Sequence, residues 1–169
     1  MQRKKSHEHL RYIIMTAFFA AMVYVMTSFV RIPTHQGYIH LGDGVIYLAA
    51  SLLPTPYAMA AGAIGGGLSD YLSGYPLWII PTVIIKALTA SLFSASRQKI
   101  ITRRNIIPLA PAAIICIGGY YLAAVILYGS WVTPIVDIPT NAIQVAAASV
   151  LYIVLGFTLD KLRIKSQLS

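Results

Sequence analysis

Ile106-Ile-Pro-Leu-Ala-Pro-Ala-Ala-Ile-Ile-Cys116-Ile-Gly-Gly-Tyr-Tyr-Leu-Ala-Ala-Val-Ile-Leu-Tyr128 carries no charged side chain. As a helix rising ~1.5 Å per residue, it is long enough for the ~30 Å hydrocarbon core of a bilayer. Two arginines, Arg103 and Arg104, stand just before it. A charge-free run abutting a cationic patch is the pattern of a membrane helix with its basic end held on one side.

Working outward, five more apolar segments emerge: Tyr12 to Val30, Leu41 to Leu53, Tyr57 to Ser73, Leu77 to Ser94 and Thr140 to Leu159. Their breaks have chemical causes in Pro33, Pro54 with Pro56, Gly74-Tyr-Pro76, Pro108 with Pro111, and Pro134 with Pro139. Pro81 falls inside the fourth segment, where it reads as a kink that a membrane helix tolerates. The whole 169-residue chain is 57% hydrophobic and 11% charged, with a mean hydropathy of +0.71. A soluble domain of this size needs a polar surface that this composition does not supply.

The net charge of +8 raises nucleic-acid binding as a function class, and position argues against it. The basic residues concentrate in three patches: Arg3, Lys4, Lys5 and Arg11; Arg97, Lys99, Arg103 and Arg104; Lys161, Arg163 and Lys165. Each abuts an apolar segment, so the charge reads as topology. None is interleaved with aromatics as a single-strand binder requires.

The second segment, Leu41 to Leu53, is short. About thirteen residues reach only ~20 Å, so it reads either as a span extended back to Tyr38 or as a re-entrant segment. The charge patches decide the count. Four crossings before the Arg97 to Arg104 loop put it on the side of the basic N-terminus; three would turn it outward. The expectation is an all-α integral membrane protein: a single domain over 1–169, a bundle of six transmembrane helices with both termini cytoplasmic. Short basic tails are expected over 1–11 and 160–169. Multi-pass placement in a membrane follows. The first segment is too long for a secretion signal and lacks a small-x-small cleavage pattern, so it reads as a retained helix. Cys116, the lone cysteine, reads as an inert buried hydrophobe.

With that topology, unusual polar groups gather at the outer ends. His40 and Asp43 open the second helix, Asp70 lies about one turn below the outer end of the third, and Lys86 sits ~12 Å into the fourth. Asn141 and Gln144 stand one turn apart near the start of the sixth, and Trp131 and Asp137 occupy the loop before it. Tyr38, Tyr75, Trp78, Tyr128 and Trp131 form an outer aromatic belt. A charge in a bilayer core costs at least ~2.5 kcal/mol, so Asp70 and Lys86 must face protein or trapped water. Two readings stand: they pair with each other and Asp43 and lock the bundle, or they belong to a small-molecule pocket. The cytoplasmic half offers only the hydroxyls of Ser51, Thr55, Thr89, Ser91 and Ser94, which argues against a continuous conduit.

Small residues form a second pattern. Ala58, Gly62, Gly66, Asp70 and Gly74 recur every four residues in the third helix, and Ala17 and Ala21 do so in the first. Such stripes permit close helix contact. No phosphate-binding loop is present. Asp43-Gly44 with Gly66-x3-Asp70 faintly resembles the motif of CDP-alcohol phosphotransferases, but the Ala-Arg after the first Asp-Gly is missing. His35, His40 and Asp43 lack ligand-like spacing, so no metal site is assigned.

The strings Gly37-Tyr-Ile-His40-Leu-Gly-Asp43-Gly, Ser69-Asp70-Tyr-Leu-Ser-Gly74-Tyr-Pro and Ile84-Ile-Lys86-Ala-Leu together resemble the substrate-binding S components of energy-coupling factor (ECF) vitamin transporters. The likeness is greatest to the riboflavin and pyridoxine/hydroxymethylpyrimidine branch. The resemblance implies a non-enzymatic subunit that captures a water-soluble vitamin or heterocyclic precursor from outside. It implies docking on a transmembrane coupling protein driven by two cytoplasmic ATPases, so that ATP is used by partners and this chain holds no cofactor. It gives Ala17 and Ala21 the docking role and places the pocket under a roof formed by Arg31 to Tyr38. Tyr38, His40, Asp43, Asp70, Trp78, Lys86, Trp131, Asn141 and Gln144 are then the expected binding residues. Lys86→Ala is expected to impair binding more than assembly. The alternatives are a self-sufficient secondary transporter using Asp70 or Lys86, and a membrane enzyme acting on lipid or isoprenoid substrates.

Overall fold

A computed structural model describes residues 2–33, 38–96 and 98–165. Every apolar segment forms a helix. In chain order these are α1 (Gln2–Ser28), α2 (Gly42–Leu52), α3 (Thr55–Leu72), α4 (Ile79–Ser91), the four-residue α5 (Arg103–Ile106), α6 (Leu109–Tyr128) and α7 (Ile138–Lys161). Single 3-10 turns, Pro76–Trp78 and Thr133–Asp137, lead into α4 and α7.

Three expectations are corrected. The basic N-terminal stretch is the first part of α1, because no breaker separates Gln2 from the apolar run. The connection after α1 is partly a hairpin: β1 (Arg31–Pro33) pairs antiparallel with β2 (Tyr38–His40), Arg31 opposite His40. The intervening residues 34–37, with His35, lie outside the described residues. Pro81 is no mid-helix kink, since α4 starts at Ile79 and its first-turn N–H would have had no partner anyway.

Among the described residues, three helical stretches are long and apolar enough to cross a membrane: Ser6–Ser28, Arg103–Tyr128 and Thr133–Lys161. Their outer faces are apolar, with Phe18, Ile114, Ile126 and Phe157 more than half exposed. A surface of that kind needs a hydrocarbon environment. In contrast, α2 is apolar all round because protein surrounds it. Every residue from Gly42 to Ser51 is buried, and α1, α3, α4 and α7 all pack against it.

The glycines of α3 set how closely its neighbours approach. A Cβ on Gly65 would sit 2.6 Å from the Ala20 carbonyl of α1 and 2.7 Å from Val23 Cβ. On the opposite side, a Cβ on Gly67 would meet Val83 Cγ2 of α4 at 2.9 Å. Gly74 and Gly129, with φ of +82° and +64°, lie just past the ends of α3 and α6, where a left-handed residue stops a helix.

The helices alternate in direction, so the bundle has two unlike ends. One gathers Arg11, the α2–α3 corner at Pro54, the stretch after α4 and the chain beyond α7. Here Tyr47 stacks on Phe93 at 4.8 Å and Tyr152 meets both rings edge-on. Two polar groups, Asn105 buried and Asp160 partly so, fold the α4–α6 connection. Asn105 accepts from the Ser94 N–H at 2.9 Å and donates to the carbonyls of Ser94 and Ile100. Asp160 accepts from the N–H groups of Ile100 and Ile101. The other end carries the hairpin, both 3-10 turns and the start of α2.

Candidate binding site

Asp43 is the second residue of α2, where the positive end of the helix dipole favours a carboxylate. Lys86 of α4 donates to Asp43 Oδ1 at 2.6 Å, and Gln144 Nε2 of α7 donates to Oδ2 at 3.0 Å. Lys86 Nζ also lies 5.1 Å from the centroid of the Tyr120 ring on α6, within cation–π reach. One carboxylate and one ammonium thus tie α2, α4, α6 and α7 together. The small-residue stripe makes room for this. A Cβ on Gly66 would stand 3.1 Å from Lys86 Cγ and 2.9 Å from Thr82 Cγ2. Asp43 and Lys86 are 1% and 2% exposed, so both charges are sealed.

Above the pair opens a pocket of about 730 Å3, counting the space at its mouth. His40, Asp70, Trp78, Tyr120, Asn141 and Gln144 are among its walls, with Thr82, Tyr121 and Asp137. Trp78 lies 5.9 Å from the Tyr120 ring, and the Tyr120 hydroxyl is 3.2 Å from Thr82 Oγ1. The mix of ring faces with convergent amides, hydroxyls and carboxylates suits a small polar heterocycle. His40 Nδ1 accepts the Gly42 N–H at 3.1 Å, which requires the neutral imidazole with its proton on the other nitrogen. Burial pushes that imidazole down from 6.5 to about 4, with Asp43 opposing and Lys86 reinforcing the shift.

Of the residues expected at the site, His40, Asp70, Trp78, Asn141 and Gln144 line the pocket. Asp43 and Lys86 lie beneath it and meet its walls through Gln144 and the Tyr120 ring. Asp70 is buried on the wall rather than bonded to Lys86, whose carboxylate partner is Asp43. Trp131 stands away from it, 66% exposed, with its carbonyl accepting from the Tyr121 hydroxyl at 2.8 Å. The side chain of Tyr38 lies outside the described residues. Among the described residues, no cluster of His, Cys, Asp or Glu could hold a metal ion.

Sequence reasoning passed over Tyr120, Tyr121 and Thr82. The signal was there: two adjacent tyrosines deep in a charge-free helix bring hydroxyls that need partners. A glycine pair just before them lets α6 close on α4, where a Cβ on Gly119 would meet Ile85 Cγ1 at 2.8 Å.

A family model described as "ECF-type riboflavin transporter, S component" matches residues 8–161. The chain belongs to that family. It is also similar to a Pyrococcus woesei protein described as "Uncharacterized protein in gap 3'region", 34% identical over 110 residues, 63% of this chain and 74% of that protein. This S component is therefore a transporter subunit, and its apolar helices agree with a membrane location. Both alanines expected at a docking face, Ala17 and Ala21, are exposed on α1 beside Phe18. Their neighbours one position away, Thr16 and Ala20, are buried against the bundle.

Proposed function

We propose that this S component captures a small water-soluble vitamin or heterocyclic precursor, of pyridoxine, hydroxymethylpyrimidine or riboflavin type, in the pocket above the Asp43–Lys86 pair. The observation that carries the reading is the composition of that pocket. Trp78 and Tyr120 supply ring faces, and Thr82, Asn141 and Gln144 supply hydrogen bonds at one wall of a single cavity. The ion pair below is already satisfied, so recognition falls to neutral groups and to the wall carboxylates Asp70 and Asp137.

The six helices then cross the plasma membrane of a prokaryote, with the basic end and both termini in the cytoplasm and the pocket facing out. The positive-inside pattern of the three basic patches supports that orientation. Ala17 and Ala21 form the contact for a transmembrane coupling subunit, and two cytoplasmic ATPases of the same module supply the energy. The chain itself binds no nucleotide.

Ligand identification by mass spectrometry of the protein purified from its native membrane tests the reading, followed by thermal melting with the compound found. A heterocycle that raises the melting temperature without ATP supports it. Failure of every B vitamin and precursor to do so overturns it. Accumulation by proteoliposomes holding this chain alone would replace it with a self-sufficient transporter.

A further inference from the structure

A second cavity lies at the basic end, about 960 Å3 including its open mouth. Two of the three basic patches of the sequence contribute to it, Arg11 from α1 and Lys165 from the chain beyond α7, while Ser94 and Ser96 come from the stretch after α4. Thr55 adds the first turn of α3, an 18-residue helix that begins with no side-chain cap. Pro56 carries no N–H and the Tyr57 and Ala58 N–H groups already donate to the Pro54 carbonyl, so the helix start offers the cavity chiefly the Thr55 hydroxyl. Met15, Leu52 and Pro54 give the cavity an apolar wall. No Asp or Glu lines it among the described residues.

Both cations there have neutral neighbours: the Arg11 guanidinium lies 5.5 Å from the centroid of the Tyr12 ring, and no carboxylate stands among the described cavity walls. Arg11 Nε is buried with no hydrogen-bond partner among the described residues. Lys165 is half-buried and donates to the Ser51 carbonyl at 2.7 Å, a neutral acceptor. Burial pushes its ammonium below the usual lysine range, with only partial opposition from Asp160. The Asp160 carboxylate already accepts from the Ile100 and Ile101 N–H groups. Glu8 is exposed on α1, one turn before Arg11. Among the described residues, the cavity sets two cations and two serine hydroxyls, hydrogen-bonded to each other at 2.9 Å, against no carboxylate.

We propose that this cavity binds a phosphate group, with Arg11 and Lys165 as its charged partners and Ser94, Ser96 and Thr55 as its hydrogen-bond donors. The group comes either from the headgroup of an anionic phospholipid or from a free phosphate anion. The apolar wall favours the lipid. The phosphate site stands whether or not the vitamin reading holds, since the two cavities occupy opposite ends of the bundle.

The test uses the intact chain in detergent micelles, offered phosphatidylglycerol or phosphatidylcholine and followed by native mass spectrometry. Thermal melting in inorganic phosphate against chloride of equal ionic strength forms a second arm. Phosphatidylglycerol should be retained at least about tenfold better than phosphatidylcholine, a difference worth ~1.4 kcal/mol. Arg11→Gln with Lys165→Gln should erase that preference, while Lys99→Gln with Arg103→Gln, both at exposed positions, should keep it. Stabilisation by inorganic phosphate that the first pair removes assigns the site to a soluble anion. Should the first pair fail to fold, Ser96→Asp, at an exposed rim position, should lower retention in the same direction. The proposal is overturned if neither phosphate compound is preferred, if the preference survives Arg11→Gln with Lys165→Gln or Ser96→Asp, or if both pairs weaken it equally. Binding of an acidic peptide but neither phosphate compound overturns it as well and points to a protein partner.

Discussion

Lys86 Nζ sits 2.6 Å from Asp43 Oδ1, with both side chains almost wholly removed from solvent, and Gln144 holds the other carboxylate oxygen at 3.0 Å. A sealed, hydrogen-bonded pair has little direct part in ligand contact, but its loss leaves one buried charge alone. Lys86→Met or Asp43→Asn should each cost about 3–5 kcal/mol, and the double variant clearly less than their sum. Denaturation of the four proteins in detergent measures this. A Lys86→Met protein that melts normally but binds its vitamin poorly would return Lys86 to the pocket.

The ring faces should carry affinity, Trp78 without carrying the fold and Tyr120 with a share in it through Lys86. Trp78→Ala and Tyr120→Ala are expected to weaken ligand binding about tenfold or more. Trp131→Ala should bind as the parent does, because Trp131 is exposed and is not among the pocket walls. Calorimetric titration of the three variants separates these outcomes.

Backbone approach predicts where a single methyl hurts. Gly65→Ala drives a Cβ to 2.6 Å from the Ala20 carbonyl, and backbone yields less readily than a side-chain tip. A loss of about 1–3 kcal/mol is expected. Gly118→Ala, whose Cβ would meet nothing within 4 Å, should be neutral or slightly stabilising. Melting temperatures of the pair decide it.

His40 should make the protein acid-sensitive. Its imidazole titrates near 4 when folded, against 6.5 when free, so the unfolded chain binds the extra proton between those values. Stability is therefore complete above pH 6.5 and declines as pH falls toward 4. Protonation of Nδ1 also removes the acceptor of the Gly42 N–H. His40→Asn should flatten this part of the curve of melting temperature against pH; an unchanged slope would mean that other groups govern it.

Ala17→Trp should leave ligand affinity and melting intact while abolishing uptake by cells that contain the energising module. Its side chain already faces outward, so bulk there disturbs a partner and not the bundle. Normal uptake would remove Ala17 from the docking face.

The helices were legible because apolar runs and their Pro and Gly breaks record them directly. Orientation within the fold was less so. Asp43, Asp70 and Lys86 could be recognised as intramembrane charges, yet nothing local says that Lys86 chooses Asp43 over Asp70. That choice depends on how Gly66 lets α4 approach α3, a tertiary relation. Tyr120 was hidden because an aromatic in an apolar run looks like packing until its neighbour Thr82 is seen. The length of Leu41 to Leu53 had no local explanation either. A short helix is acceptable when protein rather than lipid clothes it, and only the assembled bundle shows that α2 is clothed on all sides.

The clothing of α2 has a further outcome. The bundle axis is occupied by solid side chains from Gly42 to Ser51, directly below the sealed charges. The pocket therefore has a base and no drain. Whatever enters it must leave by the mouth it came through, so delivery to the other side requires that the mouth itself change sides.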